Sequence, residues 1–94
     1  MAQLKNRGDA AFNEALQAFK QERYEQAMTG FSVLAKDYAN QERSMYAYYF
    51  YANAAERADR DKDGWNMLQQ LISRYPNWAQ KDEVYYLAGV LNFK

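Results

Sequence analysis

The strongest constraint on the fold is an internal echo. Laid against itself at an offset of 37 residues, the chain places Lys36-Asp37-Tyr38-Ala39-Asn40 over Ser73-Arg74-Tyr75-Pro76-Asn77. At the same offset Ala11, Tyr48 and Tyr85 align, as do Ala15, Ala52 and Gly89, while Phe31 pairs with Leu68 and Leu34 with Leu71. Large and small positions keep their places. A period of this length marks a stack of small supersecondary units, each too small to bury its own apolar face alone.

Each unit reads as two antiparallel helices. Ala11, Ala15 and Ala18 form a stripe of small residues at helical spacing, with Phe12, Leu16 and Phe19 as a bulkier stripe beside it. Gln21-Glu22-Arg23 is a short polar turn, and Ala27, Phe31, Leu34, Ala35 and Tyr38 give one apolar face to a second helix ending near Ala39. The second unit repeats this with Tyr48, Tyr51, Ala52 and Ala55, then Leu68, Leu71, Ile72 and Tyr75, stopped by Pro76. Residues 83–93 open a third unit with no partner helix. Four Gly and one Pro leave little material for the turns of a β-sandwich.

At this point the residues carry a family resemblance. Tyr48, Tyr51-Ala52, Ala55, Gly64, Leu68 and Pro76 follow the tetratricopeptide pattern. The first unit offers Ala11, Glu14-Ala15, Ala18, Ala27, Phe31 and Ala39, of which Glu14 and Ala39 depart from it. Ala11 to Ala39 and Tyr48 to Pro76 are both 28 apart, so the excess over the usual period of about 34 falls between units, in Asn40 to Ala47. With this longer loop, Leu71-Ile72-Ser73-Arg74-Tyr75-Pro76 followed by Glu83-Val84-Tyr85-Tyr86-Leu87-Ala88-Gly89 resembles the bacterial envelope branch of the family, such as the outer-membrane assembly lipoprotein of the β-barrel machinery and the Tol-Pal coordinator. The expected fold is all-α: a right-handed superhelical stack of antiparallel helix hairpins, five helices in one domain. Its repeats run over about 9–40 and 44–77, with a half repeat at 81–94.

The resemblance implies a non-catalytic module that binds a peptide or protein segment in a concave groove lined by the first helix of each unit. Carried over by residue, the groove holds Phe12, Leu16, Phe19, Tyr46, Tyr49, Asn53, Arg57, Tyr86 and Val90. Phe12, Tyr49 and Tyr86 would form an aromatic ladder, the alternative in so short an array being that the same rings simply pack as core against a neighbouring helix. Phe12 and Tyr49 stand where a carboxylate-gripping Lys would stand in some relatives, which argues against a clamp for a chain's C-terminal carboxylate. The alternative function is self-assembly or service as a structural segment of a larger repeat protein: Val84, Leu87, Leu91 and Phe93 lie on the last helix of this sequence, and would be covered by further chain or form a dimer face. An envelope or periplasmic setting is implied by the resemblance only. Residues 1–8 hold no apolar run of signal-peptide length, and no stretch has the ~20 apolar residues of a membrane span.

Other function classes lose their chemistry. The chain has neither Cys nor His, which removes the commonest proton shuttle and the strongest side-chain nucleophile. No glycine-rich phosphate loop is present, and the reading calls for no cofactor. Lys plus Arg equals Asp plus Glu at 12 each, so no broad field draws in nucleic acid. Asp59-Arg60-Asp61-Lys62-Asp63-Gly64 spells the opening of a calcium loop, but the position for the bidentate carboxylate is Gln70. Asp59, Asp61 and Asp63 therefore read as a solvated turn, with Asp61 or Asp63 capping the next helix.

Overall fold

Both hairpins turn in the same way, and the turn explains why the repeat exists. The computed structural model describes the backbone of residues 2–92 and the side chains of residues 8–92. Its helices are α1 (Ala2–Lys20), α2 (Tyr24–Ala35), α3 (Gln41–Arg57), α4 (Asp61–Arg74) and α5 (Lys81–Asn92), with no strand among the described residues. After α1, the Arg23 N–H donates to the Ala18 carbonyl at 2.8 Å and the Glu22 N–H to that of Phe19 at 3.0 Å. After α3, Arg60 donates to Ala55 at 2.7 Å and Asp59 to Glu56 at 3.3 Å. This is the Schellman arrangement, which satisfies carbonyls left over at a helix end. It requires one left-handed residue, and Glu22 (φ 63°) and Asp59 (φ 58°) supply it. Each of these features recurs at the 37-residue offset, so the backbone carries the periodicity as well as the side chains.

Element boundaries differ from expectation at two places. α2 stops at Ala35, so Tyr38 lies in the following turn, where the Arg74 guanidinium sits 3.3 Å from its ring centre. The first helix starts at Ala2, ahead of position 9. The two inter-unit connections also part company. The Asn40 side chain accepts from the Arg43 N–H and caps α3. Its counterpart Asn77 lies four residues before α5 begins, because Pro76 fixes the backbone after α4 and Trp78 turns inward to become buried.

Consecutive helices pack against each other, and α1 also meets α3 and α3 meets α5, whereas α2 and α4 do not approach. The first helices therefore close ranks on one side while the second helices splay on the other, which curves the stack with α1, α3 and α5 inside. The exposed Arg60–Glu25 ion pair at 2.6 Å spans the outer gap. Overall extents of 43 × 30 × 16 Å describe a slab. Two helix layers about 9 Å apart, plus a backbone radius of about 2.3 Å on each side, come to roughly 14 Å, close to the thin dimension.

α3 is the shared wall. Ala47, Tyr48, Ala52, Ala54 and Ala55 are buried, as is Ser44, whose hydroxyl donates to the Ala35 carbonyl at 2.5 Å and accepts from the Tyr75 hydroxyl at 3.4 Å. One side chain thereby ties together the end of α2, the start of α3 and the end of α4. The Tyr48 hydroxyl meets that of Tyr38 at 3.2 Å. Burial, reinforced by that hydrogen bond, pushes Tyr48 up to about 12, and burial also raises Tyr51.

The dimer face expected on α5 is corrected here. Val84, Leu87 and Leu91 are buried, because α5 lies in the angle between α3 and α4 and turns its apolar stripe back into the core. Phe93 lies outside the described residues. What α5 shows to solvent is Tyr85, 55% exposed, and Tyr86, 75% exposed. Tyr85 is the counterpart of Tyr48, which is 1% exposed. The difference arises because no further helix covers Tyr85 among the described residues.

Two outcomes follow from this packing. Glu22→Gly removes a Cβ from a left-handed position and should stabilise the fold by up to about 1 kcal/mol, seen as a rise in thermal midpoint of several degrees. Asp59→Gly should gain less, since Asp tolerates that region better. At alkaline pH the folded chain holds the Tyr48 proton longer than the unfolded chain does. Stability should be undiminished below about pH 10 and fall as pH climbs toward about 12, a decline that denaturant titrations would register and that Tyr48→Phe should make shallower.

Candidate functional site

Rings from α1, α2 and α3 gather around one hub, Phe50 on α3. Phe31 and Tyr46 stack on it with centroids at 5.6 and 6.3 Å, and Phe12, Phe19 and Tyr49 meet it edge-on at 6.1, 6.2 and 5.7 Å. Such offset and edge-on contacts follow from the ring quadrupole and add to area burial. Beyond Phe50, Trp78 closes on Tyr46 at 5.0 Å and Tyr49 at 6.3 Å. At the opposite end Phe19 meets Tyr24 at 5.6 Å, and the exposed Arg57 lays its guanidinium over both, 5.0 and 6.0 Å from their centres.

The seam thus brings together Phe12, Phe19, Tyr46, Tyr49 and Arg57 of the groove expected from the sequence. All four rings are half-buried and pack against the core. Leu16 is half-buried and packs against the core. Asn53 is half-buried, its amide donating to the Tyr49 carbonyl at 3.2 Å. Tyr86 and Val90 lie on α5, outside the ring network, so the expected ladder ends at Tyr49.

Phe50, Trp78 and Tyr24 were not foreseen as site residues. The repeat alignment hid the first two, because Phe50 falls opposite Asn13 and Trp78 opposite Gln41, both polar. Spacing within the helix was the available signal for Phe50, which stands four residues after Tyr46.

At one end of the seam a recess of about 420 Å³ opens between α1 and α3, with Phe12 and Tyr46 in its walls. Arg43 lies in it and reaches Asp37 at 2.6 Å and Asp9 at 3.4 Å. The acidic turn is different in kind. α4 begins at Asp61, so Asp61 and Asp63 are wound into its first turn, while Asp59 takes the left-handed turn position. No group of three carboxylates placed to hold a metal ion occurs among the described residues. The expected cap is also corrected: the residue at the cap position is Arg60, with no side-chain cap bond. The acidic first turn instead complements the helix dipole.

No helix among the described residues is long and apolar enough to cross a membrane. Compared with known protein families, residues 5–94 match the model of the family YfiO, described as outer membrane lipoprotein. No curated protein and no solved structure matches the chain.

Proposed function

The chain belongs to the YfiO family of outer membrane lipoproteins, and from that premise we propose that it is a non-catalytic docking module of the bacterial envelope, binding a segment of another polypeptide across its concave face. The observation that carries this reading is the half-exposed aromatic seam running from Phe19 through Phe12 and Phe50 to Tyr46 and Tyr49. Rings fixed by their neighbours on one face lose little freedom when a partner covers the other, so they give contact area at low entropic cost. Curvature supports the same reading, since it gathers the first helices of successive hairpins on the inner side. A segment lying across α1, α3 and α5 would meet the seam and then the exposed ring of Tyr86.

The test is a double substitution, Tyr49→Ala with Tyr86→Ala, measured against a partner recovered from the host's envelope fraction. Affinity is expected to fall roughly 10- to 100-fold while helical circular dichroism is retained. Unchanged affinity in a folded variant would remove the groove from the account.

A second reading, self-association, is favoured by Tyr85 and Tyr86, adjacent exposed rings at the end of the stack. It uses a different surface from the Val84, Leu87 and Leu91 stripe. Light scattering across a concentration series distinguishes the two readings: a dimer disrupted by Tyr85→Ser supports self-association, and a concentration-independent monomer rules it out.

A further inference from the structure

We propose that the recess between α4 and the turn after α2 is a subsite for one carboxylate, the side chain of an aspartate or glutamate on a second polypeptide. It lies away from the aromatic seam. Tyr48, in its wall, stands two positions from both Tyr46 and Phe50, which at about 100° per residue puts it on the opposite face of α3. The inference therefore goes beyond the groove reading and does not depend on it.

Two independent features meet in this recess. The first is Arg74, whose guanidinium carbon stands 3.3 Å from the centre of the Tyr38 ring. So short a distance admits only a guanidinium lying flat on that ring. Stacking fixes the group by its face and leaves free its edge of N–H donors, the edge that grips a carboxylate in two-pronged fashion. Arg74 has no ion-pair partner among the described residues. Asp37, beside Tyr38 in the chain, is committed to Arg43 at 2.6 Å. The recess, about 460 Å³, is lined by Tyr38, Tyr48, Gln69, Gln70, Ser73 and Arg74, so its formal charge is +1 with no carboxylate in its walls. The half-negative C-terminal end of α4 offsets that charge only in part.

The second feature is a buried phenol with a proton to spare. Tyr48 is 1% exposed, and its hydroxyl meets that of Tyr38 at 3.2 Å. Two hydroxyls joined by one hydrogen bond use one of their two protons, and neither makes a further bond among the described residues. The pair thus keeps one O–H donor without an acceptor, in the same recess as an unpaired guanidinium. Gln69, Gln70 and Ser73 are exposed and add neutral donors. One positive charge among neutral donors matches a carboxylate, whereas a phosphate dianion would leave a charge unmatched.

The experiment titrates isotope-labelled protein with the terminally blocked tripeptides Ala-Glu-Ala and Ala-Gln-Ala and, separately, with inorganic phosphate, followed by nuclear magnetic resonance. The Glu peptide is expected to shift the Ser73 amide and the Arg74 Nε–H resonance, and to bind about fivefold tighter than the Gln peptide. That preference should shrink as salt is raised from roughly 0.05 to 0.5 M. Arg74→Lys should remove most of it although the charge is kept, because an ammonium has no flat two-pronged edge. Either tyrosine hydroxyl alone still leaves a free donor, so the informative change is Tyr38→Phe together with Tyr48→Phe, which keeps both rings and should weaken the Glu peptide about threefold. Equal binding of the Glu and Gln peptides, a preference untouched by Arg74→Lys, or tighter binding of phosphate than of the Glu peptide would each overturn the carboxylate subsite. Neither peptide carries an aromatic or large aliphatic residue for the seam, so such a failure leaves the groove reading standing.

Discussion

The whole arrangement depends on how closely α3 lets its neighbours approach. Alanine at positions 47, 52, 54 and 55 keeps its surface low, and all four are buried. Gly64 of α4 comes so near that a Cβ there would meet that of Ala55 at 3.1 Å, the Ala52 carbonyl at 3.3 Å and Leu91 of α5 at 3.3 Å. The first hairpin uses the same device, since a Cβ at Gly30 would meet that of Ala15 at 3.0 Å. Interiors this dense cannot absorb an added methyl without displacement. Small residues therefore do more than permit the stack: they set its spacing, and Ser44, bonded to both Ala35 and Tyr75, pins its register.

Curvature also decides how far the rings of the first helices are covered. Second helices that stay apart and first helices that touch leave large side chains of α1 and α3 partly uncovered. Phe12, Phe19, Tyr46 and Tyr49 owe their half-exposure to this geometry, and Phe50 holds them in fixed relation.

Much of this was legible in order of residues. The small and bulky stripes of the first helices, the polar turn at 21–23, the acidic stretch from Asp59 to Asp63 and the stop at Pro76 all mark hairpins, and the hairpins are there. Phe12, Phe19, Tyr46, Tyr49 and Arg57, grouped beforehand only through the family resemblance, lie along one run of ring contacts. The α5 stripe was misjudged because a periodic apolar face says only that something covers it. Whether the cover lies behind, as α3 and α4 do, or ahead, in another copy, is not written in the stripe. Trp78 escaped for a related reason, since its burial comes from a connection that breaks the repeat.

The sequence alone determined helices, their pairing into hairpins and the period, because these rest on contacts between residues close in the chain, where spacing of three and four positions fixes a face. Only the tertiary structure decided which faces meet solvent. Exposure depends on the angle between successive hairpins, and that angle is a sum of packings among residues distant in sequence, so that Tyr48 and Tyr85 share a place in the repeat yet one is buried and the other open.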